Sequence, residues 1–279
     1  MFSFVQLKGF LNQIKLGITS YYKALFFIKK HGYFWYILIP FILMFWVYKL
    51  GFYLQNLTHK PNIYSVNEMV WFLIYVLIEV TIALMLMRFT KYLVVALLSP
   101  LLAHITEKTE RIITKTKTPY SLEQYIIDIK RALVILIRNL MWYYSYFVII
   151  QIVCYIFWEE PKNSPLQWLN ILICAYYYGF SFLDYVIERR KKTVSESILF
   201  VRKNAGLAIT IGLGYSALLW VPVDLDVFLN YTLTFAQTKE AIIQLFWWLL
   251  ASTAPILSCV CASLAMQQID PIQTNSTNA

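Results

Sequence analysis

Residues 70–98 read VWFLIYVLIEVTIALMLMRFTKYLVVALL, and this stretch decides the fold class. It is apolar on every face of a helix, with only Glu79, Arg88 and Lys91 as charged residues. A helix that is apolar all round lies either in a protein interior or in lipid. At about 1.5 Å per residue, the stretch is longer than the roughly 30 Å hydrocarbon core of a bilayer. We therefore predict a membrane-spanning helix, with Glu79 near the middle of the membrane.

The composition of the whole chain supports the same conclusion. Of 279 residues, 59% are hydrophobic, 18% are aromatic and 14% are charged, and the mean hydropathy is +0.59. These values are typical of an integral membrane protein and not of soluble domains. The sequence contains six long apolar stretches: Tyr33–Leu54, Val70–Leu98, Leu133–Trp158, Leu166–Val186, Ala205–Val223 and Ala241–Ala265. The stretches from Leu166 and Ala205 are barely long enough to cross a bilayer, so we expect hairpin arms there that enter it only in part.

We predict an all-α, polytopic membrane protein with about six membrane-inserted helices arranged as hairpins. In residues 1–28, apolar side chains and lysines occupy two faces of one helix, which indicates an interfacial amphipathic helix on the inner leaflet. The same pattern also fits a soluble helix packed on the cytoplasmic loops. Residues 29–266 form the membrane domain, and residues 267–279 form a polar tail that we expect to be disordered.

The basic residues are divided unequally between the two sides of the predicted membrane. Seventeen lysines and arginines fall in the N-terminal segment and two of the loops, whereas the other three loops hold only Lys60, Lys162 and Lys239. Because lysine and arginine accumulate on the cytoplasmic side, both termini are predicted to face the cytoplasm of a cell inner membrane. The formal charge of +9 therefore reflects topology. Cations dispersed at helix ends form no basic face for nucleic acid, so we expect no nucleic-acid partner.

A basic turn precedes the first of these apolar stretches. Lys29 and Lys30 are followed by His31 and Gly32, and glycine permits a sharp change of chain direction. The helix that starts beyond the glycine presents unpaired N–H groups, and two cations beside such groups make a candidate anion site. The alternative is a basic anchor that only sets the topology.

Further candidate anion-binding residues lie in or near the other cytoplasm-facing basic segments. They are Arg131, Arg138, Arg189, Arg190 and Arg202. Arg138 lies some turns inside an apolar stretch, where it either extends to lipid phosphates or faces a transport pathway. Asp184 and Glu188 are four residues apart and are followed by arginines, which indicates an ion-paired helix end. Thr193 and Glu196 have the spacing of a capping box and predict the start of a short helix.

Glu79 is the one carboxylate that the sequence places inside the membrane. An ionised acid at that depth costs at least a few kcal/mol, so it is protonated, paired with another helix or exposed to a water-filled cavity. Glu79 is therefore our candidate for an acid on a permeation path.

Small residues mark positions where helices are expected to pack closely. Gly212 and Gly214 lie in the fifth apolar stretch, and a run of small residues, Ser258–Ser263, lies in the sixth. The four cysteines, Cys154, Cys174, Cys259 and Cys261, all lie in apolar stretches and are expected to be small buried residues. HExxH, GxSxG and Walker glycine-loop patterns are absent from the sequence. We expect no enzymatic activity, no bound metal and no cofactor.

The order of several short elements resembles one membrane-protein family. These elements are Tyr21-Tyr22 through His31-Gly32 to Pro40, Ser99-Pro100 followed by Leu101–Glu107, Phe182–Tyr185 with Arg189 onward, Arg202, Gly212, Pro222, and Pro255 with its small residues. From about Ile18 to Met266 the chain is similar to the family of the CysZ sulfate permease and etoposide-induced protein 2.4. The resemblance implies a helical, homo-oligomeric channel of the bacterial inner membrane, with some hairpins that penetrate it only in part. It also implies sulfate uptake for cysteine synthesis without ATP hydrolysis by the protein itself.

The chain departs from the bacterial members of that family at one turn. Those members have a Gly-hydrophobic-Arg-Arg sequence that binds the anion, whereas this chain has Gly32-Tyr33-Phe34-Trp35 and lacks both arginines. Lys29 and Lys30 precede the glycine and can supply charge, but as point charges and not as bidentate forks. The departure concerns the identity of the substrate and leaves the fold inference unchanged.

Two functional hypotheses follow from the sequence. The first is a membrane channel or permease for sulfate or a related small oxyanion, collected at the cytoplasmic basic turns and first at Lys29, Lys30 and Gly32. The second is a non-transporting membrane scaffold of the same family, whose cations bind anionic lipids. The expected partners are a small anion, membrane lipids and other copies of the chain.

Overall fold

The computed structural model describes residues 4–56, 97–115, 122–220 and 235–271, and the isolated residues 65, 67, 70, 94, 95 and 227. Within these residues the chain forms α-helices and one 3-10 helix, with no strand. We number the α-helices α1 Phe4–Lys30, α2 Phe34–Asn56, α3 Ser99–Thr114, α4 Leu122–Phe157, α5 Leu166–Arg189, α6 Val194–Lys203, α7 Ala205–Leu219 and α8 Phe235–Ile269. The 3-10 helix, Pro161–Asn163, lies between α4 and α5. The predicted all-α membrane fold is confirmed.

Within the described ranges, three helices are long and apolar enough to cross a membrane. They comprise Leu133–Phe157 of α4, all of α5, and Gln237–Ile269 of α8. Helices α1 and α2 pass the same test as a pair, but they are bent by 106° at the break between them, as in a broken span or a re-entrant loop. Five of the six predicted apolar stretches coincide with helices. The remaining stretch, Val70–Leu98, lies almost wholly outside the described residues. Glu79 is not among the residues that the structure describes.

The two stretches predicted to be only marginally long differ in the structure. Helix α5 has 24 residues and is long enough to span the bilayer. Helix α7 has 15 residues. At 1.5 Å per residue, α7 measures roughly 22 Å, which is less than the hydrocarbon core of about 30 Å. The expectation of an arm that enters the bilayer in part fits α7, whereas α5 can cross it.

Helix α8 is the centre of the bundle. It contacts α1, α2, α3, α5 and α7. Its small-residue run Ser258–Ser263 is completely buried among them. In membranes, helices associate through close packing, and small side chains permit the approach. The predicted role of this run in tight helix packing is confirmed.

Helices α5 and α7 lie with their backbones almost in contact. A Cβ atom at Gly179 would lie 1.8 Å from the carbonyl oxygen of Ala208, and one at Gly212 would lie 1.7 Å from that of Ala175. On each helix the alanine and the glycine are four residues apart, so they share one face and leave a flat surface for the neighbour. The predicted close approach at Gly212 is confirmed, and Gly179 is its counterpart on α5.

Helix α1 packs along α7, and the two helices run in the same direction. Three facing pairs mark this register: Gln13 with Gly206, Gly17 with Thr210, and Tyr21 with Gly214. Each step of four residues on α1 matches a step of four on α7. The hydroxyl of Tyr21 donates to the carbonyl oxygen of Ile211 at 2.6 Å and lies 2.9 Å from Oγ of Ser258, so it joins α1, α7 and α8.

The predicted apolar stripe of α1 faces away from the bundle. Its large exposed side chains include Leu7, Leu11, Ile18, Tyr22 and Leu25. The face of α1 that packs on α7 and α8 carries small residues, among them Ser20 and Ala24, which are fully buried. The helix therefore packs on two apolar helices, and its interfacial position in the membrane stays a prediction.

Candidate functional site

Helices α1 and α2 meet in a turn that we call the elbow, residues Lys29–Tyr36. Gly32 has a φ of +69°, and the N–H of Tyr33 donates to the carbonyl oxygen of Ile28 at 3.2 Å. This bond and the left-handed glycine are the features of a Schellman cap, which ends a helix. Glycine adopts such a φ without the strain of a Cβ atom. The predicted change of direction at Gly32 is confirmed, and α2 begins two residues later at Phe34.

Lys29 and Lys30 form the last turn of α1, and both side chains are exposed. The ion pairs within the described ranges do not include either lysine. Their positive charge is therefore not neutralised by a described carboxylate. The N-terminus of α2, which follows directly, adds N–H groups that the helix itself does not satisfy.

Helix α3 contributes a third lysine to the elbow. Nζ of Lys108 lies 4.7 Å from the ring centroid of Tyr33 and 4.8 Å from that of Tyr36, within the range of cation–π attraction. The same nitrogen lies 3.5 Å from the hydroxyl of Tyr36. The hydroxyl of Tyr33 is hydrogen-bonded to Oγ1 of Thr109 at 3.0 Å, which holds the ring against α3. Lys108 is therefore fixed beside the turn by two aromatic rings.

Two histidines flank the same place. Nε2 of His104 lies 3.2 Å from the hydroxyl of Tyr36, and the ring of His31 packs on Phe27 with centroids 4.4 Å apart. The elbow thus collects three lysines and two histidines. In the part of the chain that the structure describes, these five residues form no ion pair with an acid.

Arg131, one of the predicted anion-binding residues, is occupied by acids of the protein itself. Its guanidinium lies 3.3 Å from Asp184 and 3.6 Å from Glu188 of α5. It also donates to Oγ of Ser197 at 2.8 Å and to the carbonyl oxygen of Lys192. The predicted ion pairing of this helix end is confirmed. A partner of both acids comes from another helix, Arg131 of α4.

Arg189 and Arg190 also pair with carboxylates. Arg189 lies 3.9 Å from Glu107 of α3, and Arg190 lies 3.4 Å from Glu110 and 3.5 Å from Asp270 beyond α8. Together with the Arg131 contacts, these bonds join α3, α4, α5 and the end of α8 at one end of the bundle, and we call them the ion-pair network. Positive and negative groups alternate in the network, so it acts first as a structural tie.

The two acids that bind Arg190 have opposite pKa shifts. Burial raises the pKa of Glu110 above its ordinary value, although the charge of Arg190 opposes this rise. A hydrogen bond from Lys192 lowers the pKa of Asp270, which lies at the surface. Desolvation dominates for the buried acid and hydrogen bonding for the exposed one, in line with the usual causes of such shifts.

Arg138 and Arg202 lie outside the network. Cζ of Arg138 lies 4.7 Å from the ring centroid of Phe180, and its Nη2 donates to Oδ1 of Asn139 at 2.9 Å. Arg202 is exposed in the last turn of α6. Neither arginine forms an ion pair within the described residues.

The structure thus places Lys29, Lys30 and Gly32 in one turn, whereas the arginines lie elsewhere: Arg131 and Arg138 within α4, and Arg189, Arg190 and Arg202 at the ends of α5 and α6. Lys108 is a further member of this site that was not predicted from the sequence, and it comes from a helix more than 70 residues away. No local pattern marks it, because its position depends on how α3 packs against the elbow. Helix α6 begins with the predicted capping box, in which Thr193 and Glu196 form reciprocal hydrogen bonds.

The chain also matches a model of a known protein family. The model described as sulfate transporter CysZ/etoposide-induced protein 2.4 matches residues 20–229, about three quarters of the chain. The matched range includes the elbow, the arginines described above and α2 to α7. No curated protein sequence matches the chain.

Proposed function

Because the chain belongs to the sulfate transporter CysZ/etoposide-induced protein 2.4 family, we propose that it carries sulfate or a related small oxyanion across the membrane. The resemblance predicted from the sequence is thereby confirmed at the level of the family. The observation that best supports the proposal is the elbow, where three lysines gather beside the start of α2 without an ion-paired acid among the described residues.

An oxyanion at the elbow would meet two kinds of group. The ammonium groups of Lys29 and Lys30 attract it by charge, and the first N–H groups of α2 donate hydrogen bonds along the helix dipole. A lysine is a mobile point charge and does not grip an oxyanion in a bidentate fork. Weak binding suits transport, since an ion must leave its site as readily as it enters.

The break between α1 and α2 also fits a transport function. Transporters repeatedly use interrupted helices whose N-terminal ends point at anionic substrates. The bend of 106° at the elbow is an interruption of this kind. In the proposed mechanism the elbow collects the anion, and the charge of Lys108 raises its local concentration.

We also propose the orientation and setting that the sequence predicts. The chain would lie in the cell inner membrane with both termini in the cytoplasm, act as a homo-oligomeric channel, and supply sulfate for cysteine synthesis. The orientation is supported by the unequal distribution of basic residues. It is also supported by the ion-pair network, in which Arg131 and Arg190 come from two different basic loops and meet at one end of the bundle.

A second function is favoured by the surface of α1. Exposed lysines, Lys8, Lys15 and Lys23, accompany exposed apolar side chains along this helix. An apolar stripe edged with lysines is the arrangement that binds anionic membrane surfaces. A non-transporting membrane scaffold that holds anionic lipids is therefore the alternative.

Uptake of radiolabelled sulfate into proteoliposomes tests the proposal. We expect uptake above that of empty vesicles, competition by unlabelled sulfate, and a lower initial rate in the Lys29→Gln/Lys30→Gln variant. The matched control is Lys15→Gln/Lys23→Gln, which removes the same charge from α1 away from the elbow. If folded protein shows no uptake but sediments with anionic vesicles, the transport proposal is wrong and the scaffold is favoured. Equal loss in both variants would exclude the elbow as the site.

A further inference from the structure

Helix α3 lies between the elbow and the ion-pair network, and it contributes a residue to each. Its Lys108 contacts the rings of Tyr33 and Tyr36 in the elbow. Glu110, two positions later, pairs with Arg190 of the network at 3.4 Å. Residues two apart on a helix are separated by about 200° around its axis, so these two side chains leave α3 on nearly opposite sides. One helix of 16 residues therefore joins the elbow to the network.

The C-terminal end of α5 holds α3 at two carboxylates. Arg190 pairs with Glu110, and Arg189 lies 3.9 Å from Glu107. Arg189 also donates to the carbonyl oxygen of Ala103 at 3.3 Å. The four charged side chains are between 6% and 13% exposed. Ion pairs at such low exposure are little screened by water, so they restrain the distance between α3 and α5 more firmly than surface pairs do.

On the elbow side, α3 is attached at one buried point. Oγ1 of Thr109 and the hydroxyl of Tyr33 are hydrogen-bonded at 3.0 Å, and both residues are fully buried. A helix attached at one point can still turn about that point. The pairs of Arg189 and Arg190 lie on the other side of α3 and oppose such a turn.

The contacts of Lys108 are sensitive to a turn of this kind. Its Nζ lies 4.7 Å and 4.8 Å from the ring centroids of Tyr33 and Tyr36, and 3.5 Å from the hydroxyl of Tyr36. Cation–π attraction is significant only within about 6 Å of a ring centroid, so a displacement of roughly 1–2 Å removes it. Among the described residues no acid pairs with Lys108 to hold it instead.

We propose that Arg190 and Glu110 are positioning residues that act through α3 and hold Lys108 beside the elbow. They would not touch an anion themselves. The consequence for anion binding rests on the proposed function, because Lys108 adds its charge to the proposed anion site of the elbow. The positioning itself does not depend on transport, and it can be measured without it.

NMR on full-length protein in detergent micelles measures the position of Lys108. Reductive methylation with ¹³C-formaldehyde adds two methyl groups to each lysine amine and keeps its positive charge. Methyl groups held against two aromatic rings resonate upfield of those on exposed lysines, and K108R identifies the Lys108 signal by its loss. We expect E110Q and R190Q each to move this signal most of the way to the position of the exposed lysines. R190K keeps the charge and should retain the upfield signal.

The matched control is D184N, which breaks a comparably buried ion pair that does not involve α3. It should leave the Lys108 signal in place. The double variant E110Q/R190Q should move the signal no further than either single variant, because both substitutions remove the same pair.

Sulfate uptake into proteoliposomes measures the consequence for anion binding. E110Q should raise the sulfate concentration at half-maximal uptake roughly threefold and leave the maximal rate unchanged, as expected when attraction to the bound anion is lost. In the K108Q background, E110Q should have no further effect on uptake, because the charge that it positions is already absent.

The proposal is overturned if the Lys108 signal stays in place in both E110Q and R190Q. An equal displacement in D184N also overturns it, since this would show a general loosening of the bundle. A further loss of uptake from E110Q in the K108Q background has the same meaning. If R190Q does not fold, E110Q decides, because glutamine has nearly the size and shape of glutamate. If folded protein takes up no sulfate, the proposed function is wrong, whereas a displaced Lys108 signal still supports the positioning.

Discussion

The guanidinium of Arg131 lies 3.3 Å from the carboxylate of Asp184, and this pair ties α4 to α5 where both helices meet α6. The side chain of Asp184 is only 4% exposed and that of Arg131 is 17% exposed. Removing one member of a buried ion pair leaves an uncompensated charge and costs more than losing a surface pair. The stability of the helix hairpin therefore depends on this contact.

We expect Asp184→Asn to lower the free energy of unfolding by about 2 kcal/mol. Arg131 loses a charged partner, but its side chain stays partly exposed to water, which limits the cost. The double variant D184N/R131Q should lose less than the two single variants added together. Denaturant unfolding in micelles measures the change. The control is Arg111→Gln, whose pair with Glu107 is 42% exposed on the arginine side and should cost under about 1 kcal/mol. A larger loss in the control would contradict the assignment.

We expect Gly212→Ala to destabilise the protein by about 3 kcal/mol or to prevent folding. The new methyl group would lie 1.7 Å from the carbonyl oxygen of Ala175, so α5 and α7 must separate. Thermal unfolding and the yield of monodisperse protein measure the effect. Gly9→Ala is the matched control, because no described atom outside its own helix backbone and its two chain neighbours lies within 4 Å of the added methyl group. Since alanine favours helix more than glycine does, the control should be neutral or stabilised by up to about 1 kcal/mol.

Two acids of the ion-pair network should give opposite responses to pH. The hydrogen bond from Lys192 lowers the pKa of Asp270 below 3.8. Ionised Asp270 therefore adds to the free energy of unfolding above pH 3.8, and this stabilisation is lost as the pH falls through the folded-state pKa. Burial raises the pKa of Glu110 above 4.5. Protonated Glu110 therefore adds to the free energy of unfolding below pH 4.5, and this stabilisation is lost as the pH rises through the folded-state pKa.

Unfolding midpoints between pH 3 and pH 8 check this expectation. The difference in unfolding midpoint between wild type and Asp270→Asn should become smaller as the pH falls below about 4. Wild type should gain stability relative to Glu110→Gln as the pH falls from about 7 to 4.5. Curves that stay parallel for both variants would show that these acids do not titrate as assigned.

If the proposed transport function is correct, Lys108→Gln should reduce the initial rate of sulfate uptake roughly fivefold, through the loss of about 1 kcal/mol of attraction. The difference should shrink at high ionic strength because salt screens the charge. Lys115→Gln removes an exposed charge beyond the end of the same helix and should leave the rate unchanged. An equal reduction in both variants would indicate a general surface effect and not a role of the elbow.

Features determined by neighbouring residues could be predicted from the sequence. The capping box of Thr193 and Glu196, the turn at Gly32 and the closely packed glycine at Gly212 each depend on local geometry or on the size of one side chain. The shortness of α7 also follows from the length of its apolar stretch. These signals need no knowledge of the partner helix.

Features that depend on which helices become neighbours could not be predicted. The sequence indicates that Asp184 is ion-paired, but the identity of Arg131 as its partner depends on the packing of α4 against α5. Lys108 reaches the elbow only because α3 packs there, through Tyr33 and Tyr36. Composition and periodicity give the faces of helices, whereas the pairing of those faces depends on the whole bundle.

The bond between Tyr21 and Ile211 has a consequence for how the protein is made. The two residues are 190 positions apart, and a ribosome adds roughly 5–20 residues per second. Tyr21 therefore leaves the ribosome on the order of 10–40 seconds before its acceptor is synthesised. The packing of α1 on α7 can therefore be completed only after most of the chain has been synthesised.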